Sequence, residues 1–526
     1  MALKWPAFLK PFTSYGLIPL LCAVVSWRKG QDIDWDVQNY HLYNAWAFVH
    51  DRFPLDLAPA GVQTFFNPLF DLFWYALVAT LPPAAVGATL GLVHGINFVL
   101  VRAIALHFLP PEQANRSWLS WLLALAGVLS AGFLSELGTA MHDNLVALAV
   151  LTSLLLCLRA QERPAAATAT LTIAGAVAGF ACAAKLISAP FALALCTALF
   201  VAALPHERHW RARLLPAVAF STGVVVSLLA FGGYWYWYNW HHYGNPLFPS
   251  FNNVFGGELG ALDTNRDERF LPKTLADWLF RPVLMSKRWR LVAEVPYRQI
   301  SFGVVYLLAI AAAAWWCWRS RVAVTVPARK TLLLIVFTAT TYLLWLKIFG
   351  IYRYLIALEL LLPLLCLLLW RYLLGQRRGT VFACGSLLLM TLTGVASRTD
   401  WGHADWRDQY YALDPPADRQ QVGTVLLMGQ PLAWLAPAFD LPVPFLQLDP
   451  NFSHQGSGYD AELLRRVNHQ GNIRLIFDPA LYRPEQIAGR LAENRMMIAP
   501  GSCEPLRAYL GAQLLQYQYC KVQPLS

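Results

Sequence analysis

The sequence predicts an all-α polytopic membrane bundle followed by a small α/β domain. Three observations carry that prediction. The 526 residues are 57% hydrophobic and only 14% charged, against about 25% charged in a soluble domain. Long apolar runs are separated by short arginine-bearing loops. Near residue 397 the composition turns polar, and short apolar runs alternate with helical patterns from there on.

Eleven candidate spans follow in order: 12–28, 87–108, 118–136, 143–159, 165–184, 186–204, 215–235, 302–319, 330–347, 354–372 and 380–396. The first follows Met1–Lys10 and lacks a small-residue cleavage site, so it is expected to be retained. The basic loops Arg159–Arg163, His206–Arg213, Arg319–Lys330 and Arg371–Arg378 fall on one side in this count, which the positive-inside rule makes cytoplasmic. The net charge of +10 is therefore read as a topology signal, with no nucleic acid as partner. A twelfth apolar stretch, 66–82, opens with Asn67-Pro68 and closes at Pro82-Pro83. Counting sides shows that it cannot cross fully, so it is expected to be a re-entrant or juxtamembrane helix. The result is about eleven spans, with the N-terminus inside and the C-terminus outside.

After the transmembrane domain, 1–397, comes an extracytoplasmic domain, 398–526. Its runs Thr424–Met428, Val443–Leu448 and Ile473–Phe477 read as buried strands, and Tyr459–Val467 and Pro484–Met496 as helices. Gly423 and Gly429 flank the first strand without a GxGxxG, so a nucleotide site has no support. Seven of the nine cysteines lie in apolar segments. Cys503 and Cys520 are the two in polar sequence, and an oxidising compartment would allow them to pair. No Cys/His metal spacing occurs.

Ionisable residues concentrate where the count places outer loops, in 29–86, 136–143, around 185, in 236–301 and at 350–354. Asp34-Trp-Asp36 and Asn39-Tyr40-His41 follow the first span. Asp36, Tyr40 and Asn44 share a helical face, with Asn39 and His41 beside it. Either acid suits a general base, and each also suits a solvated loop or a helix cap. Ser135-Glu136-Leu-Gly-Thr-Ala-Met-His142-Asp143-Asn144 forms a second acidic turn, as group transfer or cation binding requires, and Asp143 also suits a helix start. Arg353, between Tyr352 and Tyr354, suits a phosphate through its planar fork or lipid headgroups by snorkelling. Lys185 and Arg298 are further phosphate candidates. Tyr243-Gly-Asn245-Pro-Leu-Phe-Pro249-Ser-Phe-Asn252 reads as an interfacial, lid-like loop or an aromatic anchor. Glu359, within an apolar span, needs a partner.

In their order and common side, Asp36…Tyr40-His41, Glu136…Asp143, Asn245-Pro-Leu-Phe-Pro249 and Tyr352-Arg353-Tyr354 resemble the GT-C class of membrane glycosyltransferases, most of all its bacterial members. The resemblance covers most of the membrane region. It implies a polyprenyl-phosphate sugar donor and transfer to a glycan, lipid or protein acceptor at the outer face of the cytoplasmic membrane, among membrane lipids. Asp36 would match the family's base, with Asp34 competing because the loop reads Asp-Trp-Asp. Asp143 would match the second acidic position, with His142 or Glu136 beside it. Arg353 and Lys185 would hold the donor phosphate. Some branches need a divalent cation, Mg or Mn, and the sequence gives no decisive ligand set. The rival readings are a transporter or flippase, which predicts broken helices in paired repeats, and a non-catalytic scaffold.

Overall fold

The computed structural model describes residues 15–296, 298–319, 328–454, 457–467 and 472–525. Among them eight helices are long and apolar enough to cross a membrane: Pro83–Leu106, Asp143–Ala160, Pro164–Ala184, Leu186–Ala203, Trp210–Tyr243, Ser301–Trp318, Arg329–Ile348 and Gln376–Ala396. A ninth is a pair, Tyr352–Glu359 and Leu362–Leu374, bent by 55°. The expected count of eleven is not reached. Leu17–Lys29 and Arg116–Val128 are apolar but have 13 residues each, about 20 Å of helix against a hydrocarbon core of about 30 Å. The first expected span also begins outside the described residues. Leu69–Thr80 has 12 residues, too short to cross, in keeping with a juxtamembrane element.

Small residues set the closest helix packing. Helices Pro164–Ala184 and Trp210–Tyr243 meet through Gly175, Gly179 and Gly223. A Cβ on Gly175 would lie 1.9 Å from the Phe220 carbonyl oxygen, and one on Gly223 would lie 1.9 Å from that of Thr172. The two backbones therefore touch directly, the small-xxx-small device of membrane helices. Trp210–Tyr243 has 34 residues, about 51 Å. Its last turns stand beyond an apolar layer of ordinary thickness and carry Trp235, whose indole N–H donates to Phe65 O at 2.8 Å.

The loops gather at two ends. At one, Arg329 pairs with Glu207 at 3.0 Å, Lys330 with Glu162, and Arg371 donates to Gln113 at 3.3 Å. Three of the four expected basic loops thus meet each other, and the fourth meets the 110–116 loop. The other end carries the acidic loops and the C-terminal domain.

That domain holds a mixed sheet. Apart from the short pair β1 (Gln31–Asp32) and β2 (His403–Ala404), its strands are β3 (Tyr411–Leu413), β4 (Val422–Met428), β5 (Phe445–Gln447), β6 (Asn472–Phe477), β7 (Met496–Ile498), β8 (Glu504–Leu510) and β9 (Gln513–Pro524). The order is β3-β8-β9-β6-β4-β5, with β7 on β9. Strands β5, β4 and β6 run parallel, and helices Gly458–Arg466 and Pro484–Glu493 follow the expected positions. The β8–β9 hairpin was not expected, although its alternating residues and Gly511 at φ +52° signal it. Cys503 and Cys520 form a disulfide.

The domain is not a separate appendage, because the first outer loop is built into it. β1 pairs with β2, and Leu57 bridges Leu446. Arg52 makes a bidentate pair with Asp56 and donates to the carbonyls of Leu441 and Val443. Asp56 also accepts from Tyr43 OH at 3.0 Å and Phe445 N at 2.9 Å. The 243–252 stretch is anchored here too. Phe248 is buried against Phe65 and Phe452, and the Asn252 amide donates to the carbonyls of Gly257, Gly260 and Ala261.

Candidate active site

Four chain segments bring buried charge together where the bundle meets the C-terminal domain. The first is 31–44. A tight turn places Asp32 to accept from Ala140 N at 2.7 Å and Asp34 to accept from Val37 N at 2.7 Å. Asp34 thereby holds the start of a wide helical turn, Val37–His41. That turn presents Asp36 to Arg353, with Nη1 donating to Oδ2 at 2.6 Å. The Arg353 guanidinium also stacks on Tyr354 and Trp401, at 5.4 and 5.7 Å.

The second segment is 136–143. Gly138, at φ +87°, packs against Ser26, whose Oγ would lie 2.0 Å from an added Cβ. His142 itself has φ +68°, an uncommon conformation for a residue with a side chain. It caps helix Asp143–Ala160 and turns its ring onto His41, with centroids 4.4 Å apart. The third is Lys185, in the break between two spans. Its ammonium donates to Met141 O at 2.6 Å and pairs with Asp143 Oδ1 at 2.8 Å.

The fourth, Asp71 on Leu69–Thr80, escaped sequence reading, although a carboxylate inside an apolar run is itself a signal. It lies 2.6 Å from His41 Nδ1 and 3.6 Å from His142 Nε2. Burial, with Lys185 and Arg353 nearby, holds His41 well below its usual range. Burial also raises Asp71 well above the carboxylate range, so the charged forms of both partners are disfavoured. Burial likewise lowers His142. Burial raises Asp34 well above the carboxylate range, reinforced by Asp32 and Asp36. Burial and then Asp143 do the same to Glu136.

Several of these groups have buried polar atoms with no hydrogen-bond partner among the described residues: Asp34 Oδ2, Asn39 Oδ1, His41 Nε2, Asp143 Oδ2 and both oxygens of Glu136. Folding alone does not explain such a concentration. Tyr40 is buried against His41, with centroids at 4.1 Å. The Asn39 amide donates to Ala60 O at 3.2 Å and ties the loop to residues 60–63.

Not every expected residue joins. Arg298 is exposed and contacts none of these carboxylates among the described residues. Tyr352 turns away from the cluster to donate to Glu359 Oε1 at 2.8 Å. Glu359 also accepts from Gln299 at 2.6 Å and from Gly132 N at 3.1 Å. All three bonds fall on Oε1 of this carboxylate, at the bend of the broken helix. The bent pair is the one such pair among the described residues, so the paired broken helices of the transport reading are not seen there.

For a divalent cation the expected acids are poor ligands, because Asp36 and Asp143 are already neutralised by Arg353 and Lys185. The better set is His41, Asp71 and His142, whose ligand atoms lie within 4.8 Å of one another. Two imidazoles and one carboxylate suit a zinc-like ion better than Mg²⁺. Beside this cluster a void with room for about one water is lined by Asp143, Val146, Ile187, Phe191, Arg353 and Ile356.

No sequence-family profile matches the chain, and no curated protein matches it. Solved structures do. ArnT from Cupriavidus metallidurans bound to undecaprenyl phosphate superposes with TM-score 0.53 at 13% identity, over 97% of this chain and 98% of that one. The apo state of the same enzyme gives 0.51 at 12% identity, over the same shares. The Archaeoglobus fulgidus oligosaccharyltransferase with Zn and sulfate gives 0.49 at 12%, over 90% and 69%. Bundle, outer loops and C-terminal domain together thus have the fold of the GT-C class of membrane glycosyltransferases.

Proposed function

We propose that the chain is a glycosyltransferase of the cytoplasmic membrane, moving a sugar from a polyprenyl-phosphate donor to an acceptor hydroxyl on the outer face. The observation that carries this is the pair of cations, Arg353 on Asp36 and Lys185 on Asp143, gathered where the bundle meets the C-terminal domain. A donor phosphate needs such cations, beside an acid that can take the acceptor's proton. The basic loops at the opposite end of the bundle support an outward-facing site.

Arg353 exchanges Asp36 for the donor phosphate. Asp36, freed, takes the proton from the acceptor hydroxyl as that oxygen bonds to the anomeric carbon. The bond from that carbon to the phosphate oxygen breaks, and polyprenyl phosphate leaves with the electron pair. Asp34 is the poorer base, because its Oδ1 holds the turn that aims Asp36. Lys185 holds Asp143 and adds positive charge beside the leaving group. A divalent ion on His41, Asp71 and His142 would supply further charge there. Glu136, Tyr40 and Asn39 are buried around the cluster.

The test is transfer from polyprenyl-phosphate sugars by the purified chain in lipid, with Asp36→Asn alongside. A fall of about 10²–10⁴-fold in turnover, the usual worth of a general base, with donor affinity kept, is the expected result. Full turnover by Asp36→Asn would remove Asp36 from the base role. No donor binding by the wild type would end the glycosyltransferase reading.

A further inference from the structure

A second cavity, of about 340 Å³, lies between the C-terminal domain and the first outer loop. It is within the size range of small-ligand sites. Its floor is the carboxyl end of parallel strands β4 and β6, where open α/β sheets take their ligands. Its polar lining comes from Gln38, Gln430, Asp478, Tyr482, Gln516 and Tyr517. Gln38 stands two residues beyond Asp36, so this wall and the acidic cluster belong to one short segment.

The lining is ordered before any ligand arrives. The Gln38 amide donates to Ile33 O at 2.8 Å, and that of Gln430 donates to Ala60 O at 2.6 Å. Tyr517 OH accepts from the Trp434 indole at 3.3 Å. Tyr482 lies flush against Gly429, where an added Cβ would come within 2.2 Å of its ring. Gly429 has φ +86°, so both its backbone and its missing side chain serve this placement.

The chemistry selects a ligand class. No lysine or arginine lines the cavity, so a phosphate or carboxylate has nothing to pair with. Three amides and a carboxylate offer donors and acceptors to hydroxyl groups. Two phenol rings and the leucines beside them offer apolar faces to the C–H face of a sugar ring.

We propose that this cavity binds an uncharged pyranose unit of the acceptor, and so that the acceptor is a neutral glycan. The proposal rests on the glycosyltransferase reading and specifies its substrate. Binding here holds the acceptor chain against the segment that carries Asp36.

The experiment uses the full chain in lipid nanodiscs and a panel of fluorescently labelled neutral oligosaccharides of hexose, N-acetylhexosamine and deoxyhexose types. The wild type is expected to bind at least one of them at sub-millimolar concentration. Tyr482→Ala and Asp478→Ala are expected to weaken that binding at least tenfold. Gln516→Ala, on an exposed position of β9, is expected to weaken it about threefold without disturbing the fold. Asp36→Asn is expected to bind like wild type. No binding by the wild type, or unchanged binding in all three cavity variants, overturns the proposal. A loss of polyprenyl-phosphate-sugar affinity in Tyr482→Ala, with glycan binding intact, would give the cavity to the donor sugar and also overturn it. Because the readout is binding, glycan capture by a wild type that binds no donor would sink the enzyme reading, keep the cavity as a glycan site and overturn its role in holding an acceptor. Transfer with no cavity-dependent glycan binding would keep the enzyme reading and overturn the proposal.

Discussion

Two arginine–aspartate pairs of this chain, Arg52–Asp56 and Arg353–Asp36, are built in opposite ways. Arg52–Asp56, in the clasp between outer loop and C-terminal domain, is saturated. The guanidinium makes two bonds to the carboxylate and two to backbone carbonyls, and the carboxylate accepts two more. Arg353–Asp36 has one bond, and the Arg353 Nε is buried without a partner among the described residues. A fully bonded pair fixes geometry, since its charges are compensated only in that arrangement. A half-bonded pair leaves capacity for something else. The contrast separates the charge that holds the loop from the charge available to a substrate.

Breaking each pair should therefore give different phenotypes. Asp56→Ala strands a buried guanidinium and should cost about 3–5 kcal/mol of stability, read as a lower melting temperature in detergent. The fraction that stays folded should keep its donor affinity, and a selective loss of that affinity would erase the distinction. Arg353→Ala should cost less stability. It should weaken binding of a polyprenyl-phosphate sugar roughly 10–100-fold, as for a lost charge-assisted bond of about 1.5–3 kcal/mol. Wild-type affinity in that variant would make the pair structural after all.

The smallest expected effect lies on Glu136. Burial raises its folded-state value above the ordinary 4.5, so folding favours the protonated form. That contribution is complete below about the ordinary value and fades as pH rises through the raised one. Glu136→Gln mimics the protonated acid. It should flatten the fall in melting temperature on the alkaline side and change little at pH 4. A parallel shift at all pH values would mean that Glu136 does not titrate there.

What was readable in advance follows the same division. Periodicity and loop charge placed most spans, and the alternating apolar runs placed β4, β5 and β6, because these depend on local pattern. Asp36, Asp143, Lys185 and Arg353 were visible because charge beside apolar sequence needs a reason. Asp71 was hidden inside a stretch read only as apolar. The pairing of Asp36 with Arg353 spans 317 residues, and no local pattern encodes a partner at that distance. Arg298 was carried by position alone and proved to be exposed. The 243–252 stretch, read as lid-like or as an aromatic anchor, is tied down by long-range contacts that sequence does not show: Tyr243 and Phe248 pack on Phe65, and Phe251 stays exposed.

β1 and β2 join the start of the chain to its last quarter, with the Gln31 amide bonded to Tyr410 across 379 residues. During synthesis the segment bearing Asp36 leaves the ribosome early, yet the strand that anchors it is made only after the whole bundle. At about 5–20 residues per second, tens of seconds separate the two. Until that strand is made, the loop that bears Asp36 lacks this clasp, so the acidic cluster is among the last parts of the fold to be fixed in place.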